Sequence, residues 1–382
     1  MQQHPALPAD IRTPAYVLDT ARLKHNLATA ARIRRETDCR MLLALKAFAL
    51  PEAFPLMRDV LDGTTASGEF EARLGHEEFG GETHVYAPAY TDAEISRLTG
   101  LADHIYFNSP AQLTRYLPQL ASAPHIKTGL RINPGFSMAT LGGVLYDPCA
   151  PYSRFGAPRD LLNAAPWDKI DVLHAHTLCE AMHRGSRGLI DQIAREYEPF
   201  VRQVKTVNFG GGHYFNAPGY DVDSLINAIK AFRAEFKVDI ILEPGGALVV
   251  NAGYLVATVL DIHRNEKNIA ILDTSASCHM PDVLEVPYTP PVLGAGQVGE
   301  YPHSYILAGK TCMTGDVIGE YSFPKPLVPG DRVVFGDMMQ YSFVKNNTFN
   351  GTPLPNLAKL EEDGSYTVLR EFDYGEFRQR LG

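Results

Sequence analysis

The sequence predicts an α/β fold: a (β/α)8 TIM-type barrel followed by a second, mostly β C-terminal domain. Two observations carry the barrel. From residue 40 to 246 one unit recurs eight times, a short apolar run, a polar or glycine-rich tip and a stretch of helical periodicity. The residues able to do chemistry in that stretch gather at the tips, the C-terminal strand ends where barrel sites are built. A third observation ends the barrel. After about residue 250 the texture changes to β-rich runs separated by Pro/Gly turns.

The elements follow in order. Ala15-Tyr-Val-Leu-Asp19 reads as an N-terminal strand that joins the β-rich domain or bridges to the barrel. The eight tips are Ala44-Leu-Lys46, Gly63–Ser67, His84–Pro88, Ile105–Asn108, Leu130–Asn133, Leu173–His176, Val207–Gly210 and Ile241-Leu-Glu243. Helices are expected between most of them, among them Ser186–Gln203 and Tyr220–Phe236. Tyr254–Leu260, Asn268–Asp273 and Asp331–Phe335 read as strands of the second domain. The expected boundaries are residues 20–248 for the barrel, and 1–19 with 249–382 for the β-rich domain.

Composition narrows the class. With 382 residues, 45% hydrophobic and 21% charged, the chain suits one large soluble domain and a smaller one. A net charge of −9 speaks against nucleic acid and suits a small cationic substrate. No stretch approaches a membrane span, so no membrane partner is expected. Met-Gln-Gln-His-Pro-Ala-Leu-Pro at the start lacks the features of a signal peptide. The five cysteines, at 39, 149, 179, 278 and 312, form no CxxC. They indicate a reducing, cytoplasmic setting with neither disulfides nor a zinc site.

Lys46 ends the apolar run Arg40-Met-Leu-Leu-Ala-Leu-Lys46. Burial disfavours an ammonium, so a lysine there is exposed, paired or chemically employed. One employment is a Schiff base with an aldehyde, pyridoxal phosphate being the usual one. Asn208-Phe-Gly-Gly-Gly-His213 follows a strand; its glycines serve as a tight turn or aim backbone N–H groups at a phosphate. Glu243-Pro-Gly-Gly ends the eighth strand, and its carboxylate suits either a pyridinium nitrogen or plain solvent. His174 and His176 alternate, so they share a face. With no clear third ligand in the spacing, a histidine stacked on a cofactor ring is preferred to a metal site, and a core histidine is the ordinary alternative. Cys312, with Asp316 four residues on, is either a proton donor or a small apolar filler. No Ser-His-Asp elbow, Walker loop or HExxH occurs.

Together Thr13-Pro-Ala-Tyr-Val-Leu-Asp19, Ala44-Leu-Lys46-Ala, Gly210-Gly-Gly212, Glu243-Pro-Gly245 and Thr311-Cys312 resemble the fold-type III pyridoxal-phosphate decarboxylases. Longer strings are similar to the carboxynorspermidine decarboxylase branch of that group: Tyr146–Gly156, His174–Glu180, Thr274–Glu285 and Thr311–Gly319. The resemblance spans essentially the whole chain. It implies pyridoxal 5'-phosphate on Lys46, His176 stacked on its ring and Glu243 at the ring nitrogen. It further implies Gly211, Gly212 and Tyr341 at the phosphate, and Cys312 as the acid that protonates Cα once CO2 has left. A homodimer with shared active sites, completed by the β-rich domain, is implied too.

Two departures from the amino-acid decarboxylases bear on substrate. Gly246 stands where they carry a phosphate-binding arginine, and Met313 where they carry an acid after the cysteine. A longer substrate with its charges elsewhere accounts for the second loss, with Asp273, Asp282 and Glu285 as candidate acids beside Glu243. The expected reaction is decarboxylation of carboxynorspermidine or carboxyspermidine to norspermidine or spermidine, in polyamine biosynthesis. Diaminopimelate or another basic amino acid is the rival substrate. A non-catalytic regulator on the same fold is the rival of another class, and a racemase lacks an identifiable second base.

Overall fold

The structure, a computed structural model, describes residues 7–8, 10–138 and 143–382; most of the N-terminal octet read above lies outside them. Its described residues form two compact units, one of Asn26–Leu248 and one of the chain up to His25 together with Val249–Gly382.

After a first strand β1 (Ala15–Asp19) and the helix Thr20–Thr37, the chain enters the barrel. Its strands are β2 (Arg40–Ala44), β3 (Gly63–Ala66), β4 (Glu82–Tyr86), β5 (His104–Phe107), β6 (Lys127–Arg131), β7 (Val172–His174), β8 (Thr206–Asn208) and β9 (Asp239–Leu242). They run parallel in chain order, and β9 closes on β2 with Arg40 opposite Ile241. Strands this short are buried on both sides, which is why they read as apolar runs without alternation.

Local chemistry sets the helix ends. Asp221 caps the helix Val222–Phe236 by accepting from Ser224 N–H at 3.0 Å, so that helix begins two residues later than its periodicity suggests. The segment expected as Ser186–Gln203 is two pieces, His183–Glu196 and Glu198–Val201. Pro199 lacks an N–H and cannot continue the first helix, but it is tolerated in the opening turn of the second.

The other unit is a sheet in the order β13-β12-β11-β10-β1-β15-β16, with β14 paired to β10. Its later strands are β10 (Gly253–Asn265), β11 (Lys267–Leu272), β12 (His303–Ala308), β13 (Val317–Phe323), β14 (Arg332–Gly336), β15 (Asn356–Leu360) and β16 (Tyr366–Arg370). Strand β1 belongs to this sheet, antiparallel to β10 and parallel to β15. Its residues Ala15 and Val17 pack with Ile11, Tyr254, Val256 and Ala358 into the core on one side. No helix among the described residues is long and apolar enough to cross a membrane.

Candidate active site

Four of the barrel's strand ends carry the chemistry. Lys46 lies two residues beyond β2, His176 two beyond β7, Gly210-Gly-Gly212 just beyond β8, and Glu243 just beyond β9. Parallel pairing puts all four ends at one mouth of the barrel. Lys46 Nζ stands 3.4 Å from His176 Nε2. Water reaches the lysine from the mouth, but protein surrounds it on the other sides. That burial, and then the charge of Arg131, lower its pKa, which favours the uncharged amine.

Burial, followed by the Lys46 charge, pushes His176 down to about 3, so it is a neutral imidazole near pH 7. Gly211 N–H donates to its Nδ1 at 3.1 Å, which leaves the ring proton on Nε2, facing Lys46. Glu243 is 3% exposed. Burial pushes its carboxyl up, but His174 and His176 more than offset this and hold it well below the usual range. Asn208 Nδ2 donates to Oε1 at 2.8 Å, while Oε2 lies 3.3 Å from His174 Nε2 and 3.7 Å from His176 Nδ1.

The third partner that His-x-His spacing conceals is thus Glu243, whose carboxylate gathers with both histidines within 4.8 Å. A cation there would have to displace the Gly211 N–H from His176 Nδ1. An amine whose charge burial disfavours, a neutral flat imidazole and a buried carboxylate at one strand-end cluster instead fit an aldehyde-bearing pyridine ring. His174 Nε2 faces the Glu243 carboxylate, while its Nδ1 is buried without a hydrogen-bond partner.

The glycine loop is demanded by what packs on it. Gly210 and Gly212 have φ of 65° and 85°; a Cβ would meet His176 at the first and the Leu178 carbonyl, at 2.1 Å, at the second. The N–H groups expected to point bare at a phosphate are partly spent: Gly210 donates to Asn208 Oδ1 at 2.8 Å and Gly211 to His176.

The remaining predicted residues lie in the sheet unit. Tyr341 has φ 57° and ψ −45°, a strained conformation for a non-glycine residue. Cys312 is exposed on the turn after β12, its N–H donating to Asn350 Oδ1 at 2.8 Å. Asp316 is buried and organises that turn, accepting from Thr311 Oγ1 at 2.6 Å, Ser275 Oγ at 2.9 Å and Ala276 N–H at 2.8 Å. Both carboxylates of the short helix Asp282–Glu285 converge on Lys345 Nζ. Asp273 is taken up inside the sheet, by Thr258 N–H at 2.8 Å and Thr13 Oγ1 at 2.6 Å.

Two barrel residues escape motif reading. Arg131, at the end of β6, is 5% exposed, donates to the His176 carbonyl at 2.6 Å and stacks over Tyr86 and Phe155 at 4.4 and 4.6 Å. A charge inside Leu130-Arg-Ile-Asn is the same signal as Lys46 in its own run. Tyr106 is fully buried beneath Asn208, and nothing in its apolar strand distinguishes it from core.

A barrel with a lysine, a histidine and a carboxylate at its strand ends, joined to a sheet domain, defines a pyridoxal-phosphate enzyme of this fold. Residues 15–339 match the model of the pyridoxal-dependent decarboxylases, C-terminal sheet domain, and the chain belongs to that family. It is accordingly a carboxy-lyase that uses pyridoxal 5'-phosphate. It is 39% identical to the carboxynorspermidine/carboxyspermidine decarboxylase of Campylobacter jejuni subsp. jejuni, over 97% of this chain and 98% of that protein. It is also 39% identical to the carboxyaminopropylagmatine decarboxylase of Synechocystis, over 98% and 96%. The crystal structure of carboxynorspermidine decarboxylase complexed with norspermidine from Campylobacter jejuni superposes with a TM-score of 0.89 at 38% identity, covering 97% of this chain and all of that one.

Proposed function

We propose that the protein removes CO2 from carboxynorspermidine or carboxyspermidine, yielding norspermidine or spermidine, as a cytoplasmic homodimer. The observation that carries this is full-length similarity to decarboxylases of carboxylated polyamines, at 39% identity. When bound, pyridoxal phosphate supplies an aldehyde for the substrate amine and a ring that accepts the electron pair left by CO2. Lys46 would hold that aldehyde; its lowered pKa supports the role by making the amine nucleophilic. His176, neutral and flat, would lie along the ring, and ionised Glu243 would keep a proton on the ring nitrogen. Gly211, Gly212 and the strained Tyr341 would border the phosphate. Cys312, exposed on its turn, would return a proton to the carbon that lost the carboxylate, in the active site of the other subunit.

The equal similarity to the Synechocystis carboxyaminopropylagmatine decarboxylase makes a guanidinium-ended substrate the competing reading. The acid pair favours the triamine. Asp282 and Glu285 meet on the Lys345 ammonium, whose place a point charge such as the terminal amine of norspermidine would have to take. A guanidinium is matched instead by a single carboxylate in a planar fork. Asp273 accepts from Thr258 N–H and Thr13 Oγ1 within the sheet. Replacing both acids (Asp282→Asn with Glu285→Gln) should raise KM for carboxynorspermidine on the order of tenfold or more with kcat little changed. An unchanged KM, or faster turnover of carboxyaminopropylagmatine than of the triamine by the wild type, would overturn this reading of the substrate.

A further inference from the structure

A line of polar side chains runs along the inside of the barrel, from half-buried Arg40 and Glu82 through buried His84, Tyr106 and Asn208, and ends on Glu243. Arg40 Nη1 donates to both oxygens of Glu82 at 3.0 and 3.1 Å, and His84 Nε2 meets Glu82 Oε2 at 2.9 Å. His84 Nδ1 lies 2.9 Å from the Tyr106 hydroxyl, which accepts from Asn208 Nδ2 at 3.1 Å. Asn208 Nδ2 also donates to Glu243 Oε1 at 2.8 Å. His84, Tyr106 and Asn208 are all 0% exposed.

Proton directions along this line are fixed by elimination. A carboxylate only accepts, so His84 carries its proton on Nε2, toward Glu82. With a single proton on the ring Nδ1 is an acceptor, so the Tyr106 hydroxyl donates to it and offers a lone pair to Asn208. Asn208 must therefore turn its NH2 toward Tyr106. Gly210 N–H, donating to Oδ1 at 2.8 Å, fixes the amide from the other end. One N–H remains on Nδ2, and it is aimed at Glu243. The carboxylate is thereby held by Oε1, leaving Oε2 on the histidine side of the site. The groups facing that carboxylate are His174, His176 and Asn208, with the charges of Lys46 and Arg131 nearby.

We propose that Asn208 is a positioning residue for Glu243, and that Tyr106, set by His84 and Glu82, fixes the orientation of its amide. This rests on the reading above that Glu243 holds the cofactor's ring nitrogen. Burial alone explains why such groups are paired, but not why the pairing turns the Asn208 amide so that its one remaining N–H meets the Glu243 carboxylate.

The test is the ring nitrogen itself. Protein reconstituted with pyridoxal phosphate carrying 15N in the ring is titrated by NMR, beginning at pH 8. Wild type, Tyr106→Phe, Asn208→Ala and Glu243→Gln are compared, with kcat and KM alongside. In Tyr106→Phe and Asn208→Ala the ring nitrogen should lose its proton at a pH lower by on the order of one unit, a tenfold weaker hold, with kcat down about tenfold and KM within about twofold. Titrations and kcat equal to wild type, with only a lower melting temperature, would mean the line is structural and the proposal fails. Should Asn208→Ala not fold, Tyr106→Phe, which removes one oxygen, decides alone. The two levels fail differently. If Glu243→Gln also titrates like wild type, the assignment of Glu243 to the ring nitrogen falls first; if only Glu243→Gln shifts, the positioning line alone is refuted.

Discussion

At Lys46 the two largest effects on the ammonium both disfavour it, against a smaller pull from Glu243 and Glu71. Burial costs the ammonium its hydration, and the Arg131 guanidinium adds repulsion. Replacing Arg131 by Gln removes the second, so the lysine should keep its proton to higher pH. The rate at which cofactor-free protein takes up pyridoxal phosphate should then show its inflection at higher pH than wild type; an unmoved inflection would remove Arg131 from the account. Cys312→Ala tests the other end of the reaction. Cofactor uptake should be unchanged while turnover falls on the order of a hundredfold, the usual scale of a lost general acid. Lys46 is legible in the sequence because a charge interrupts an apolar run. Arg131 carries the same signal, though no motif points to it. Asn208 sits in a motif, but its link to Glu243 joins residues 35 apart and cannot be read from spacing.

Among the elements, the loop after β8 is the least replaceable. Gly212 at φ 85° has the Leu178 carbonyl where a Cβ would go. Gly212→Ala should lose on the order of 1–3 kcal/mol of stability, seen as a lower melting temperature, and should bind pyridoxal phosphate more weakly. The turn that carries Cys312 depends in the same way on Asp316. From sequence, that carboxylate reads as a partner of the thiol; the structure gives it to Thr311, Ser275 and Ala276. Asp316→Ala, by leaving those buried donors unpaired, should cut turnover without touching the cofactor's visible band. A shifted band would mean that the turn does more than present the cysteine. The strand ends of the barrel are legible because each apolar run stops at a polar or glycine tip. The sheet is less so: β16 is largely exposed and shows no apolar pattern, and β1 finds its neighbours β10 and β15 some 240 and 340 residues away.

Across the whole molecule, buried histidines set the response to acid. Burial lowers His104 to about 2, His176 to about 3, and His213 and His279 each to about 4. In the unfolded chain they titrate near the ordinary value of about 6.5. Between these limits the unfolded state binds more protons, so stability rises with pH up to about 6.5 and is lost on acidification below it. Each histidine contributes up to about 1.4 kcal/mol per pH unit in that window. The melting temperature should therefore fall between pH 6.5 and 5, before ordinary carboxylates take up protons. A melting temperature flat to pH 5 would contradict the buried, neutral state of these rings.

The central claim is the reaction, and CO2 release tests it most directly. Protein loaded with pyridoxal phosphate would be given carboxynorspermidine and, separately, meso-diaminopimelate, beside a Lys46→Ala control. Rapid CO2 release and norspermidine are expected from the first, little from the second, and none from the control. Faster release from diaminopimelate, or release that survives loss of Lys46, would contradict the claimed reaction.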